Sequence, residues 1–328
     1  MLLLKGFIKI FILIFLVNSS LYSNDIINQS QILFDSGKFQ ESINLINSKK
    51  IEIIKEQDKW QADNIEGWSY YKLGKLDDAY NIFELIANNN NHRYHTNSIF
   101  MLGKIQEEKG KINEACQNYL KIINNYPKSN QLIESEFRLA NVFMQLDDIN
   151  KNELLKSERK NIANALFLAG DTFQNKKQEY QDAEKFLDYI VRNFQDYEKF
   201  DDSIMLLGRA KMKLGKLDES LDVFRSLFKN TSYNNHWNEA QAEIVRILVQ
   251  QKKWAEVKKE ALELYSYPHE RGKAYAVLSY VNACLGEEEK DEAIKFLEEI
   301  IKTNPDDPYI DYYQVRLLEL KGSGCCIK

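Results

Sequence analysis

The side chains able to carry out chemistry are few and scattered. There are four cysteines, Cys116, Cys284, Cys325 and Cys326, and none forms a Cys-x-x-Cys pair or a Cys/His spacing that would hold zinc. Cys116 and Cys284 fall within helical patterns at positions filled by small apolar residues, which points to core packing. Cys325-Cys326 with Ile327-Lys328 imitates a prenylation tail, but the terminal Lys is wrong for that motif. In an oxidising compartment the same pair suits a reactive or intermolecular disulfide. His92 and His95, three apart, would share one helix face, yet they follow Asn88-Asn89-Asn90-Asn91 in a stretch that reads as a solvated loop; His236 and His269 stand alone. Glu287-Glu288-Glu289 lies at a turn and reads as solvated surface. No P-loop, Gly-x-Ser-x-Gly or His-Glu-x-x-His occurs. The expectation is a protein without catalytic residues, metal ligands or cofactor, and not an enzyme.

What the sequence does organise is a repeat. Gly67, Tyr70, Gly74, Leu76, Ala79, Phe83 and Ile86 are followed by Leu102, Gly103, Gly110, Ile112, Ala115, Tyr119, Ile122 and Pro127, with Gly67 over Gly103, Gly74 over Gly110, Ala79 over Ala115 and Phe83 over Tyr119 at one offset of 36 residues. A fixed offset carrying small and large residues in the same order is the mark of a repeat solenoid. From Trp60 to Leu73 apolar residues fall three or four apart, as on one face of a helix, until Gly74 and Lys75 break the run. Leu76 to Ala87 restarts the period behind Asp77 and Asp78, whose carboxylates suit a helix N-terminus. Gly67 and Ala79 let two backbones approach, and Phe83 fills the seam. Two short helices cannot bury both their faces, so neighbouring pairs must stack.

This arrangement resembles the tetratricopeptide repeat: Leu102-Gly103, Gly110, Ala115, Tyr119 and Pro127 match that family's landmarks, with Gln106 where the family has a tyrosine. Leu207-Gly208, Gly215, Leu217, Phe224 and Leu227 match again, with Ser220 as the small residue. Weaker copies stand at Leu33, Gly37, Phe39, Ser42 and Ile46; at Leu139, Ala140 and Phe143, with a turn near Asp147-Asp148 and a second helix over 152–159; at Leu168 to Ile190; at Trp254, Val257, Ala261 and Pro268; and at Leu278, Gly286, Ala293, Leu297, Ile300 and Pro305. The resemblance implies an all-α, right-handed superhelical solenoid of about eight helix-turn-helix units over residues 24–306. A capping helix follows at 307–321, with a polar outer face from Asp311, Gln314, Arg316 and Glu319, and then a loose tail at 322–328. With 13 glycines and 4 prolines and no linker-like stretch, the array reads as continuous.

Residues 1–23 are of another kind. Lys5 and Lys9, then Ile10-Phe11-Ile12-Leu13-Ile14-Phe15-Leu16-Val17, then small and polar residues, describe a secretory signal peptide, with an uncleaved N-terminal anchor as the other reading. Its removal takes the formal charge from −5 to −7. No basic stripe favours nucleic acid. The expected location is exported, periplasmic or cell-envelope associated, and the membrane is reached only through an uncleaved N-terminus.

In the family, first-helix side chains line a concave groove that takes an extended peptide or a helix. Equivalent positions are Asn64, Phe100, Phe137, Phe167 and Met205; then Trp68, Lys104, Asn141, Asp171 and Arg209; then Tyr71, Glu107, Met144, Gln174 and Met212. The groove mixes aromatic and Met anchors with scattered charge, and a second reading places the Phe row in the core between repeats. A clamp for a C-terminal carboxylate is not expected, because Phe100 and Phe137 stand where its cations belong. The resemblance therefore implies a non-catalytic protein-interaction adaptor or scaffold of the cell envelope, like several periplasmic proteins of bacterial outer-membrane assembly and cell division. The alternatives are a membrane-tethered scaffold or a non-catalytic subunit of an envelope-processing enzyme complex.

Overall fold

The computed structural model describes residues 23–230, 235–268 and 270–322. The fold is all-α, a solenoid of helical repeats. The N-terminal segment assigned to export and the tail cysteines Cys325 and Cys326 lie outside the described residues. The helices are α1 (23–35), α2 (Phe39–Lys49), α3 (Glu56–Lys72), α4 (Leu76–Ala87), α5 (His95–Glu108), α6 (Ile112–Asn125), α7 (Leu132–Gln145), α8 (Asp148–Ser157) and α9 (Arg159–Asp171), which runs into a π-helical turn at Thr172–Lys177. Then come α10 (Tyr180–Asn193), α11 (Phe200–Lys213), α12 (Leu217–Asn230), α13 (Asn235–Gln250), α14 (Trp254–Ser266), α15 (Glu270–Gly286), α16 (Lys290–Thr303) and α17 (Ile310–Lys321). Contacts divide the chain into two compact units, one ending at Ala165 and the other beginning at Leu166. None of the described helices is long and apolar enough to cross a membrane.

In the first unit the helices from α2 to α7 pack in succession, each on the next. The recurring joint is a left-handed residue between first and second helix: Gly37, Gly74 and Gly110 here, with Gly74 at φ 71°. There the amides of Gly74 and Lys75 return to the carbonyls of Tyr71 and Tyr70, both at 3.0 Å, closing the helix end. Five residues beyond each such position a small side chain is fully buried: Ser42, Ala79 and Ala115. The first-helix glycine then lies beneath a second-helix aromatic ring. A Cβ at Gly67 would stand 3.0 Å from the Phe83 ring, and one at Gly103 2.7 Å from that of Tyr119. Phe83 and Tyr119 are 0% exposed, so these seams are the core.

The second unit repeats the device with different residues. Its left-handed positions are Gln178, Gly215, Lys252, Glu288 and Gly322, and the buried small or apolar residues five further on are Ala183, Ser220, Val257 and Ala293. Phe224 and Leu187 cover Gly208 and Gly170. Serine at the small position adds a bond: the Ser220 hydroxyl donates to the Gly208 carbonyl at 2.7 Å, as Ser42 does to Ser30 at 2.8 Å in the first unit. Gly286 is a helix residue. It closes α15 beneath the Trp254 ring, and Glu288 takes the left-handed conformation instead.

Two further elements differ from the sequence reading. The helix expected at 152–159 is α8, Asp148–Ser157, begun four residues earlier because Asp147 caps it by accepting the Asn150 amide at 2.8 Å. On α17 Asp311, Gln314 and Glu319 are exposed and Arg316 is half-buried, but Tyr312, Val315 and Leu318 are exposed too, so its outer face is partly apolar.

Candidate functional site

The expected groove residues in the first unit stand on three first helices, α3, α5 and α7. On α3, Trp68 meets Tyr71 edge-on at 5.7 Å between ring centroids and rests against Phe83 below. Lys104 of α5 places its ammonium 5.2 Å from the Tyr71 ring centroid. The Tyr71 hydroxyl donates to Glu108. Burial and that carboxylate push the Tyr71 hydroxyl up to about 12, so it stays a proton donor at neutral pH. Burial, with Arg138 nearby, draws the Lys104 ammonium below its ordinary value. These three half-buried side chains from two neighbouring pairs are brought together.

A second cluster lies between α5 and α7. One oxygen of Glu107 accepts both the Tyr119 hydroxyl at 2.9 Å and the Arg138 guanidinium at 3.1 Å. Arg138 also donates to Glu134 at 3.0 Å and lies 5.9 Å from the Phe100 ring centroid. Phe100 is half-buried against Tyr119. Arg138 is the residue that sequence reasoning missed; its only signal was the four-residue spacing to Glu134 on one helix face. Phe137, Asn141 and Met144 on α7 are half-buried, and the Asn141 amide donates back to the Phe137 carbonyl at 2.8 Å.

Two hollows adjoin on this unit, and Asn64 lines both. One, of 330 Å³, is walled by Phe34, Ile65 and Trp68, with Gln31 and Lys72 at its edge. The other, of 490 Å³, lies among Asn64, Arg93, Asn97, Lys128, Ser129 and Gln131. The loops before α5 and α7 thus supply the polar wall, and α1 and α3 the apolar one.

In the second unit the expected residues are engaged locally. Phe167 is half-buried, with Tyr197 at 6.2 Å and the Lys199 ammonium at 4.8 Å from its ring. Asp171 accepts the Asn175 amide at 2.6 Å. Arg209 pairs with Glu239 at 3.0 Å and Glu243 at 3.6 Å. Gln174 is buried and Met212 partly so. Met205 is not a groove residue: at 2% exposure it sits in the core with Ile204, Phe224 and Ile244. At this register the chain needs apolar bulk, and Met supplies it.

The two histidines are also reassigned. His92 and His95 are each 5% exposed rather than solvated. The His92 ring lies against Trp60 at 5.3 Å, its Nδ1 accepts the Tyr94 amide at 3.2 Å, and its Nε2 is 3.7 Å from Asp63. His95 Nε2 is 2.7 Å from the Tyr126 hydroxyl. Burial draws both imidazoles below their ordinary value. The loop folds inward because these rings fill the seam between successive pairs.

Among the described residues one trio has ligand atoms close enough to share a cation: Cys284, Glu289 and Glu292. Lys258 already occupies it, 2.5 Å from Glu289, 2.6 Å from Glu287 and 3.9 Å from Glu292, and the Tyr280 hydroxyl donates to Glu292 at 2.6 Å. The acidic run is therefore half of an ion-pair cluster rather than free surface. Burial pushes the Cys284 thiol up to about 11 and the Cys116 thiol up to about 12, so neither is a nucleophile at neutral pH.

Residues 97–129 match the tetratricopeptide repeat family. Similar solved structures include that of Naa15/Naa10 bound to HypK-THB, 12% identical at a TM-score of 0.41 over 88% of this chain. The chain spans 43% of that structure's chain. Pseudomonas aeruginosa pilF is 16% identical at a TM-score of 0.35, covering 67% of this chain and 97% of its own. A putative kinesin light chain of Podosopora anserina with nearly identical TPR-like repeats is 12% identical at 0.34, covering 63% and 93%. No curated protein matches the chain. Repeats of this kind are generally non-catalytic modules that bind protein partners.

Proposed function

We propose that the protein is an exported adaptor of the cell envelope that holds a partner peptide or helix on the face formed by the first helices of its repeats. The observation that carries the reading is the Trp68, Tyr71 and Lys104 cluster, where two aromatic rings and a cation from neighbouring pairs are left half-buried and Trp68 walls the smaller hollow. Half-buried aromatic anchors with a polar border suit a peptide or helix better than a small metabolite. Export rests on the basic start and the apolar run before residue 18.

Photo-cross-linking in cells tests the face. A cross-linking residue at Lys104 or Met144 should trap one protein partner, whereas one at Lys121, exposed on α6, should not. Partner capture from Lys121 alone would sink the first-helix reading. Cell fractionation with the mass of the recovered chain tests export. A chain starting near Ser20 to Asn24 supports cleavage, one starting at Met1 in the membrane fraction supports a tether, and a cytoplasmic chain refutes both.

A further inference from the structure

We infer that the paired hollows of the first unit form one bipartite site for an acidic peptide segment of a protein partner, with an apolar side chain in the smaller hollow and carboxylates in the larger. The inference rests on the first-helix face being the working surface and names the class of partner it takes.

Charge is the first observation. The protein as a whole is acidic, at −5, yet the charged residues lining these hollows are Lys72, Arg93 and Lys128, and no carboxylate lines either. None of the three cations has an ion-pair partner among the described residues. Several cations elsewhere are paired: Lys109, Arg138, Lys211, Lys216, Arg225 and Lys258 each meet a carboxylate. Arg93 is set only against the Tyr94 ring, at 5.6 Å. Unpaired cations gathered around a hollow attract an anion, and its desolvated floor strengthens that attraction.

Unmet hydrogen bonding is the second observation. The carboxamide oxygen of Asn64, which borders both hollows, is shut off from solvent and has no partner, and the same holds for the Ser129 hydroxyl. A buried polar group without a partner is costly and uncommon. A peptide group crossing from one hollow to the other would supply the missing donor, which a free carboxylate or a simple anion does not. The apolar end is the third: Phe34, Ile65 and Trp68 wall a space of 330 Å³, enough for a leucine or phenylalanine side chain. The ligand that satisfies all three is a short peptide with an apolar residue followed by Asp or Glu.

The test uses the full chain and four labelled synthetic peptides, measured by fluorescence anisotropy. They carry Leu followed by two Glu, Leu followed by two Gln, Ala followed by two Glu, and Leu followed by two phosphoserines. The proteins are the parent, the double variant Arg93→Glu with Lys128→Glu, and Trp68→Ala, each checked for parental helicity. Both reversed residues are exposed, so the double variant should fold as the parent does. The expected result is that the parent prefers the Leu-Glu peptide to its Gln counterpart by at least about tenfold. The preference should vanish in the double variant and shrink as salt is raised. Trp68→Ala should weaken the Leu peptides and leave the Ala peptide unchanged.

Equal binding of Glu and Gln peptides, failure of every peptide to bind, or an unchanged preference in the double variant would each overturn the inference. Where peptides bind without that preference and Trp68→Ala removes the binding, the first-helix face survives without the acidic specificity; if they bind and neither variant matters, both readings fall. A strong preference for phosphoserine over Glu would replace the carboxylate with a phosphoryl group, and the inference as stated would be wrong.

Discussion

Replacing Gly208 with alanine tests the seam that makes each pair of helices possible. A Cβ built there stands 2.5 Å from Cε1 and Cζ of Phe224 and 2.9 Å from Cδ1, whereas carbon atoms in contact settle at about 3.5 to 4.0 Å. The ring must retreat by about 1 Å, yet Phe224 is fully buried among Ile204, Leu221, Leu227 and Ile244 and has no free direction. Alanine gains about 1 kcal/mol over glycine inside a helix. Overpacking a well-filled core costs about 1 to 3 kcal/mol. The net expectation is a loss of up to about 2 kcal/mol, or a midpoint lowered by a few degrees, at about 2 to 4 °C per kcal/mol for a unit of this size. Gly67→Ala is the internal control, because it gains the same helix propensity but its Cβ meets the Phe83 ring at 3.0 Å. Thermal unfolding by circular dichroism should therefore rank Gly208→Ala below Gly67→Ala, with hydrogen exchange accelerated in α11 and α12. Phe224→Leu should reduce the cost of Gly208→Ala when the two are combined. If Gly208→Ala stabilises the protein, or matches Gly67→Ala, the claim that close ring-over-glycine packing sets the helix spacing is refuted.

Other outcomes follow from the same structure. His92 and His95 are held below their ordinary value by burial, so the unfolded chain binds their protons first. Stability is full above the unfolded value of about 6.5 and is lost as pH falls below it. Thermal midpoints between pH 8 and 5 should decline, and His95→Phe should flatten the decline; equal slopes in variant and parent would contradict this assignment. Thiol reagents on the native protein should spare Cys116 and Cys284 until denaturant is added, and early labelling of Cys284 would show its burial to be wrong. Lys258→Ala leaves Glu287, Glu289 and Glu292 facing one another, so it should destabilise the second unit at neutral pH and be partly rescued by salt or by acid. Insensitivity of the Lys258→Ala midpoint to salt would argue against a charge cluster.

The sequence by itself determined the local half of this protein. Helix period, turns such as Gly74 and Gly110, and the glycine-under-aromatic seams at Gly67 and Gly103 are set by residues a few positions apart and copied at one offset, so they are legible without coordinates. Even the departures are local: Gln178, Lys252 and Glu288 adopt the left-handed turn without glycine, and so hide it from a search for glycine landmarks. Tertiary structure alone decided which polar groups meet. His95 finds Tyr126 at the far end of its own helical pair, and Arg138 finds Glu107 in the pair before, each across 31 residues. Similar spacing put Met205 in register with Phe100, but packing buried the first and left the second half-buried. The hollows around Asn64 arise where loops from successive pairs come side by side, a juxtaposition that depends on how the pairs stack and that no helical period encodes.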